Sequence, residues 1–204
     1  MRKFIVFLML ALVMLASCEK NKKEEIKQEE QTTVVESLDV ENIISTDREF
    51  MFLNYGDDYR WYETCILMKD FMDEEPTSDV IMVNSIFQVV TERGKGYDVH
   101  VIKISHQLDT SYVEVVKGLW VEDFSMNDEE IIVTYEEAWN KAMEANCPKP
   151  HSQHCVLRKE VGPKAANPQY IFGNSRCQIY VDANTGEATP VNPVILNGPL
   201  GEWP

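Results

Sequence analysis

Cys147, His151, His154 and Cys155 put two thiols and two imidazoles within nine residues, the densest set of potential ligands in the chain. Thiolate and imidazole together are the donor set of tetrahedral zinc. Their spacing fits poorly, because His154 and Cys155 are adjacent and extended backbone sends neighbouring side chains to opposite sides. No carboxylate close in sequence could orient either imidazole. A surface loop with idle histidines therefore outweighs a metal centre, and neither metal nor cofactor is expected. Disulfide chemistry suits the same thiols better. Besides Cys18 there are four cysteines, Cys65, Cys147, Cys155 and Cys177, and an even number in an exported chain suggests pairing. Cys147 and Cys155 bracket a short proline-bearing connection, where a staple would contribute roughly 2–3 kcal/mol on the chain-entropy model. Cys65 would then meet Cys177 only if their strands are neighbours, and all three connectivities stay open.

The remaining chemistry-bearing residues do not assemble into a catalytic motif. His100 and His106 lie on or beside one strand, where a histidine is more often packed or solvated than catalytic. Ser105 precedes His106 without the G-x-S-x-G elbow that exposes a nucleophile. The carboxylate groups at 57–58, 73–75 and 128–130 read as solvated turns. No phosphate loop, dinucleotide fingerprint or HExxH motif occurs. No catalytic residue is expected, and the chain does not read as an enzyme. The acidic–aromatic stretch DDYRWY at 57–62 is the one candidate ligand surface. Tyr59, Trp61 and Tyr62 could stack on a sugar or peptide if exposed, or supply the core if buried.

The elements that must position these residues are mostly strands. Thr134 and Glu137 form a T-x-x-E capping box, in which each side chain satisfies an open backbone N–H. Tyr135, Ala138, Trp139, Ala142 and Met143 follow at helical spacing on one face, and Pro148 and Pro150 forbid continuation. So short a helix is unstable alone, so its Trp139 face must lie on a sheet. Downstream, 169–172 and 176–181 read as strands joined by Gly173, Asn174 and Ser175, and 182–186 makes a second tight turn. Gly186 can take positive φ there, while Asp182 and Asn184 can bond the turn backbone. Upstream, strands are predicted over 48–54, 59–70, 80–91, 97–105 and 111–121, separated by turn clusters. The fold class is α+β, an antiparallel meander with one main amphipathic helix packed on it. Residues 46–191 form a single domain, with a strand-rich part at 46–122 and the helix and hairpin at 128–191. No internal repeat is evident in the residues, although a second, degenerate copy of the same module in the first half would suit the strand count.

The helix EEAWNKAMEAN at 136–146, a polar connection, an aromatic strand and then YVDANTG at 180–186 together resemble a PepSY-type, β-lactamase-inhibitor-like domain. The resemblance covers 134–191, and its most specific part is the YVDANTG hairpin. It implies a small exported α+β module with a helix on a short antiparallel sheet. It implies a non-catalytic role, restraining a protease or binding a partner outside the cytoplasm, and supplies no catalytic residues. The CPKPHSQHC connection at 147–155 is longer and richer in cysteine than that pattern.

The N-terminus sets the expected compartment. Arg2 and Lys3 followed by an uncharged apolar run to Ala16 read as a secretory signal, too short for a membrane span. The sequence LASC at 15–18 resembles a bacterial lipobox, which implies cleavage before Cys18 and lipid attachment at that residue. Residues 18–45 read as a charged tether with too little apolar surface to order. The KKEE at 22–25 resembles stretches that follow the lipid cysteine in surface-exposed lipoproteins of the Bacteroides group. The tail at 192–204 reads as extended. Net charge is −15, and −17 once Arg2 and Lys3 leave with residues 1–17, so nucleic-acid binding is not expected. The expectation is a lipid-anchored envelope protein, on the periplasmic face of the outer membrane or at the cell surface, that binds another exported protein without catalysis. A glycan-binding accessory protein and a metal or redox protein built on 147–155 are the alternatives.

Overall fold

The structure is a computed structural model that describes residues 37–69, 77–93, 96–145, 153–161, 167–174 and 177–191. All of these lie in the second of two compact units, Val35–Pro204. The expected signal, lipid site at Cys18, most of the tether, and the tail at 192–204 fall outside the described residues.

Among the described residues of this unit there are two α-helices and nine strands. Helix α1 (Val40–Tyr55) precedes β1 (Tyr59–Met68), β2 (Val80–Arg93), β3 (Gly96–Gln107) and β4 (Thr110–Lys117). After the short β5 (Asp123–Phe124), α2 (Tyr135–Glu144) leads into β6 (His154–Glu160), β7 (Gln169–Asn174), β8 (Cys177–Asp182) and β9 (Ala188–Val191). The strands form one antiparallel sheet in the order β4-β3-β2-β1-β6-β7-β8-β9, with β5 paired to β6. The fold is thus the α+β antiparallel meander read from the sequence. Each half is a helix followed by four meandering strands, and the leading strands β1 and β6 pair antiparallel at the centre. The two halves thus share one order of elements.

α1 corrects the sequence reading, which placed a strand at 48–54 and ended the tether at 45. Its N-cap Asp39 accepts a hydrogen bond from the Asn42 N–H at 3.0 Å, and Gly56 ends it at φ 58°, a left-handed conformation that glycine adopts without a Cβ clash. Val40, Ile43, Asp47 and Met51 form its buried stripe. The polar Asp47 at the centre of that stripe hides the helical period, while Phe50, Phe52 and Leu53 remain substantially exposed and imitate a strand. α2 forms as read, with the reciprocal Thr134–Glu137 capping box. β6 was not foreseen, since 147–155 read as a connection.

Both helices lie on the same face of the sheet. Ile66 on β1 stands opposite Val83 and Cys155, and Phe172 opposite Cys155 and Ile179. All belong to one core with Met51, Ala138 and Trp139. Trp139 packs edge-on against Phe172 with ring centroids 5.8 Å apart. The Tyr170 hydroxyl donates to the Val133 carbonyl at 3.1 Å, which ties β7 to the approach to α2. At the 182–186 turn, Gly186 takes φ 74°, and Asp182 accepts from the backbone N–H groups of Asn184 and Thr185 at 2.9 and 2.8 Å.

Candidate interaction face

The opposite face of the sheet carries no helix among the described residues, and it holds two of their three buried carboxylates, Glu63 and Asp123. Its register can be read across the strands, because directly opposed residues share a face. Glu63 on β1 stands opposite Ile86 and Arg158, and Cys65 opposite Asn84 and Val156. Lys103 and Ser105 on β3 continue those rows. A bulge between Trp61 and Glu63 makes this arrangement possible. By adding a residue to one strand, it lets Trp61 enter the core while Glu63, two positions on, faces the other way.

The centre of the face is an ion-pair lattice. Arg158 donates through Nη2 to Glu160 at 2.6 Å, and its Nε lies 3.8 Å from Asp123 Oδ1. The Trp120 indole N–H donates to Asp123 Oδ2 at 3.2 Å, and the Trp120 backbone N–H donates to Gln88 at 2.7 Å. This anchors the 118–124 segment over one end of the sheet. Burial raises the pKa of both Glu63 and Asp123, although Cys65 in the first case and Trp120 in the second donate hydrogen bonds that lower it. Asn84 Oδ1, Ser105 Oγ, Asp123 Oδ1 and Arg158 Nε lack hydrogen-bond partners. These atoms are buried beneath the surface of the face, and the Arg158 side chain, 30% exposed, is the part of the lattice that reaches solvent.

Nucleophilic chemistry is poorly served here. The Cys65 thiol donates to Glu63 Oε1 at 2.9 Å, and burial followed by the Glu63 charge pushes its pKa up to about 12. A thiol held that far up carries almost no thiolate at neutral pH. On the helix side, Asp47 accepts from the Ser85 hydroxyl at 2.6 Å and meets His106 Nε2 at 2.6 Å. These three residue types invite comparison with a hydrolase triad, but the carboxylate sits between the other two. The serine proton points at Asp47, so the imidazole has no hydrogen bond to the hydroxyl it would need to activate. The cluster is a pin between α1 and strands β2 and β3.

The residues singled out in the sequence are dispersed by the fold. Trp61 is 2% exposed, donates to the Glu63 carbonyl and to Thr64 Oγ1, and lies under the Arg48 guanidinium at 5.7 Å. Tyr59 is half-buried and packs edge-on against Phe87 at 5.8 Å, and Tyr62 is half-buried on the bulge. Of the two readings of this stretch, Trp61 follows the one that supplies the core, because the bulged strand turns this largest ring inward. His154 is exposed and Cys155 fully buried, so the adjacent pair points apart and cannot close one metal site. Cys147 and His151 lie outside the described residues. Cys155 is a free thiol inside the core, and the expected Cys147–Cys155 staple falls on a residue outside the described ones. Cys65 is also free. Cys177 is on β8, three strands from β1, roughly 14 Å at the usual strand spacing, beyond the span of a disulfide. His100 is half-buried and lines a shallow groove of about 470 Å³ with Tyr55, Ile102 and Val115.

Sequence reasoning missed Asp47, Glu63, Asp123 and Arg158. The only available signal was the pair of charged residues within apolar runs, Glu63 in YETCILM and Arg158 in CVLRKE. No family model, curated protein or solved structure matches the chain.

Proposed function

We propose that this protein is an exported, lipid-anchored binding module without catalytic activity. It is held to the membrane through Cys18, and its helix-free sheet face engages another envelope protein, such as an exported protease. The observation that carries this reading is the segregation of the sheet. Both helices and the aromatic core occupy one face, while the other presents the half-buried polar side chains of Lys103, Arg158, Glu160 and Tyr180. The inert Cys65 thiol and the carboxylate-centred Asp47 cluster favour binding over catalysis. The resemblance of 134–191 to a PepSY-type module and the lipobox at 15–18 supply the compartment and the class of partner. The metal and glycan readings lose their residues, Cys155 and Trp61, to the core.

The test is capture from intact membranes with a tagged form lipidated at Cys18, compared with an untagged control. A stoichiometric envelope protein is expected, retained by Phe52→Ala on the helix side and lost on Lys103→Glu. Capture of no protein, or capture indifferent to Lys103→Glu, would overturn the reading.

A further inference from the structure

The two edges of the sheet are not equally protected. β9 closes one edge with four residues, one of them Pro190, and short, proline-bearing edges resist pairing. β4 forms the other with eight residues and no proline, and all eight are exposed. Its register with β3 runs without a bulge from His100 opposite Lys117 to Gln107 opposite Thr110. The outer edge is therefore a regular row of backbone donors and acceptors with no described partner.

Each face of this strand carries two exposed apolar side chains. Val113 and Val115, on the helix side, are 47% and 55% exposed, while Tyr112 and Val116, on the other side, are 48% and 51% exposed. On α1, Asp47 reaches β2 and β3 while Arg48 reaches Trp61. Helical geometry then sets Phe50 on the flank away from Arg48, where it is 40% exposed. The stretch 110–121 holds one acid, Glu114, and one base, Lys117, so it is locally neutral in a chain of net charge −15. A strongly charged peptide would find no complement along it.

We infer that the β4 edge is a self-association site, where a second copy of this chain adds its own β4 antiparallel about a two-fold axis through Val113. An isologous contact sets each residue against its symmetry partner, and an axis perpendicular to the sheet keeps each side chain on its own face. An axis at Glu114 would oppose two like charges, which is destabilising. An axis at Val115 would push the pairing into Gly118, past the end of β4. The axis at Val113 pairs the whole strand. It sets Tyr112 opposite Glu114 of the second copy, and Lys117, which pairs with Asp98 of its own chain at 3.5 Å, opposite the exposed Asp109 one residue before β4, once at each end.

Sedimentation velocity on the full chain tests this. The wild type is expected to dimerise in a concentration-dependent manner, and Val113→Lys to sediment as a monomer with unchanged circular dichroism. Lys117→Asp and Asp109→Lys should each weaken the dimer about tenfold, and the two together should restore it. A monomeric wild type at every concentration, or a dimer that survives Val113→Lys, would overturn the inference. Failure of the double charge swap to restore association would overturn the register. Because this readout is independent of any captured partner, its failure and that of the binding-module reading are separable.

Discussion

Cys65 and Cys155 show how burial decides whether a reactive residue type stays reactive. Both thiols have pKa values raised chiefly by loss of solvent, Cys65 to about 12. At pH 8 a thiol of that pKa is thiolate about once in ten thousand molecules. The expected outcome of a thiol-reagent titration is that neither cysteine reacts in the native protein and both react in denaturant. Rapid native labelling of Cys65 would contradict its bond to Glu63. Asp182 shows the opposite balance. Burial alone would raise its pKa, but hydrogen bonds from Thr185, Asn167, Asn184 and Gln169 outweigh it and leave the carboxyl below its usual range. Asp182→Ala should destabilise by roughly 2–3 kcal/mol, since it strips acceptors from several donors at once, measurable by chemical denaturation. This turn was readable from the sequence because its partners are local. The pin at Asp47 was not, because Ser85 and His106 lie 38 and 59 residues away.

The elements divide along the same line. α2 could be read because its capping box and apolar spacing are contained within about ten residues, and each propensity agrees with the fold. α1 could not, because tertiary burial of Asp47 overrides the period. β6 was concealed by the prolines and cysteines before it, and with β6 unseen the central β1–β6 pairing and the Glu63–Arg158 row could not be assembled. Two substitutions test the element assignments. Trp139→Ala removes the ring that α2 packs against Phe172 and should cost about 3–5 kcal/mol. Gly56→Ala meets no neighbouring atom within 4 Å at its new Cβ, so its cost, about 1 kcal/mol, comes from the positive φ alone. A cost near zero for Gly56→Ala would mean that α1 ends differently.

At the scale of the whole molecule, three buried carboxylates set the pH dependence. Asp47, Glu63 and Asp123 all have pKa values raised mainly by burial. The folded state therefore keeps their protons to a higher pH than the unfolded chain, which releases them near 3.8 to 4.5. Their contribution favours folding at the acid end and is lost as pH rises through the raised values. Asp182 acts in the opposite sense, and its contribution is lost as pH falls below 3.8. Denaturant midpoints should accordingly peak in mildly acidic solution and fall toward neutrality, with Glu63→Gln flattening the decline. Midpoints that rise steadily toward neutral pH would contradict this.

The central claim is that the helix-free face is where a partner binds. Site-specific photocrosslinking in intact cells addresses it most directly, with the photoreactive residue placed in turn at Lys103, Tyr180 and, as a helix-side reference, Phe52. The same envelope-protein adduct is expected from positions 103 and 180 and none from position 52. Adducts confined to position 52, or none from any position, would contradict it.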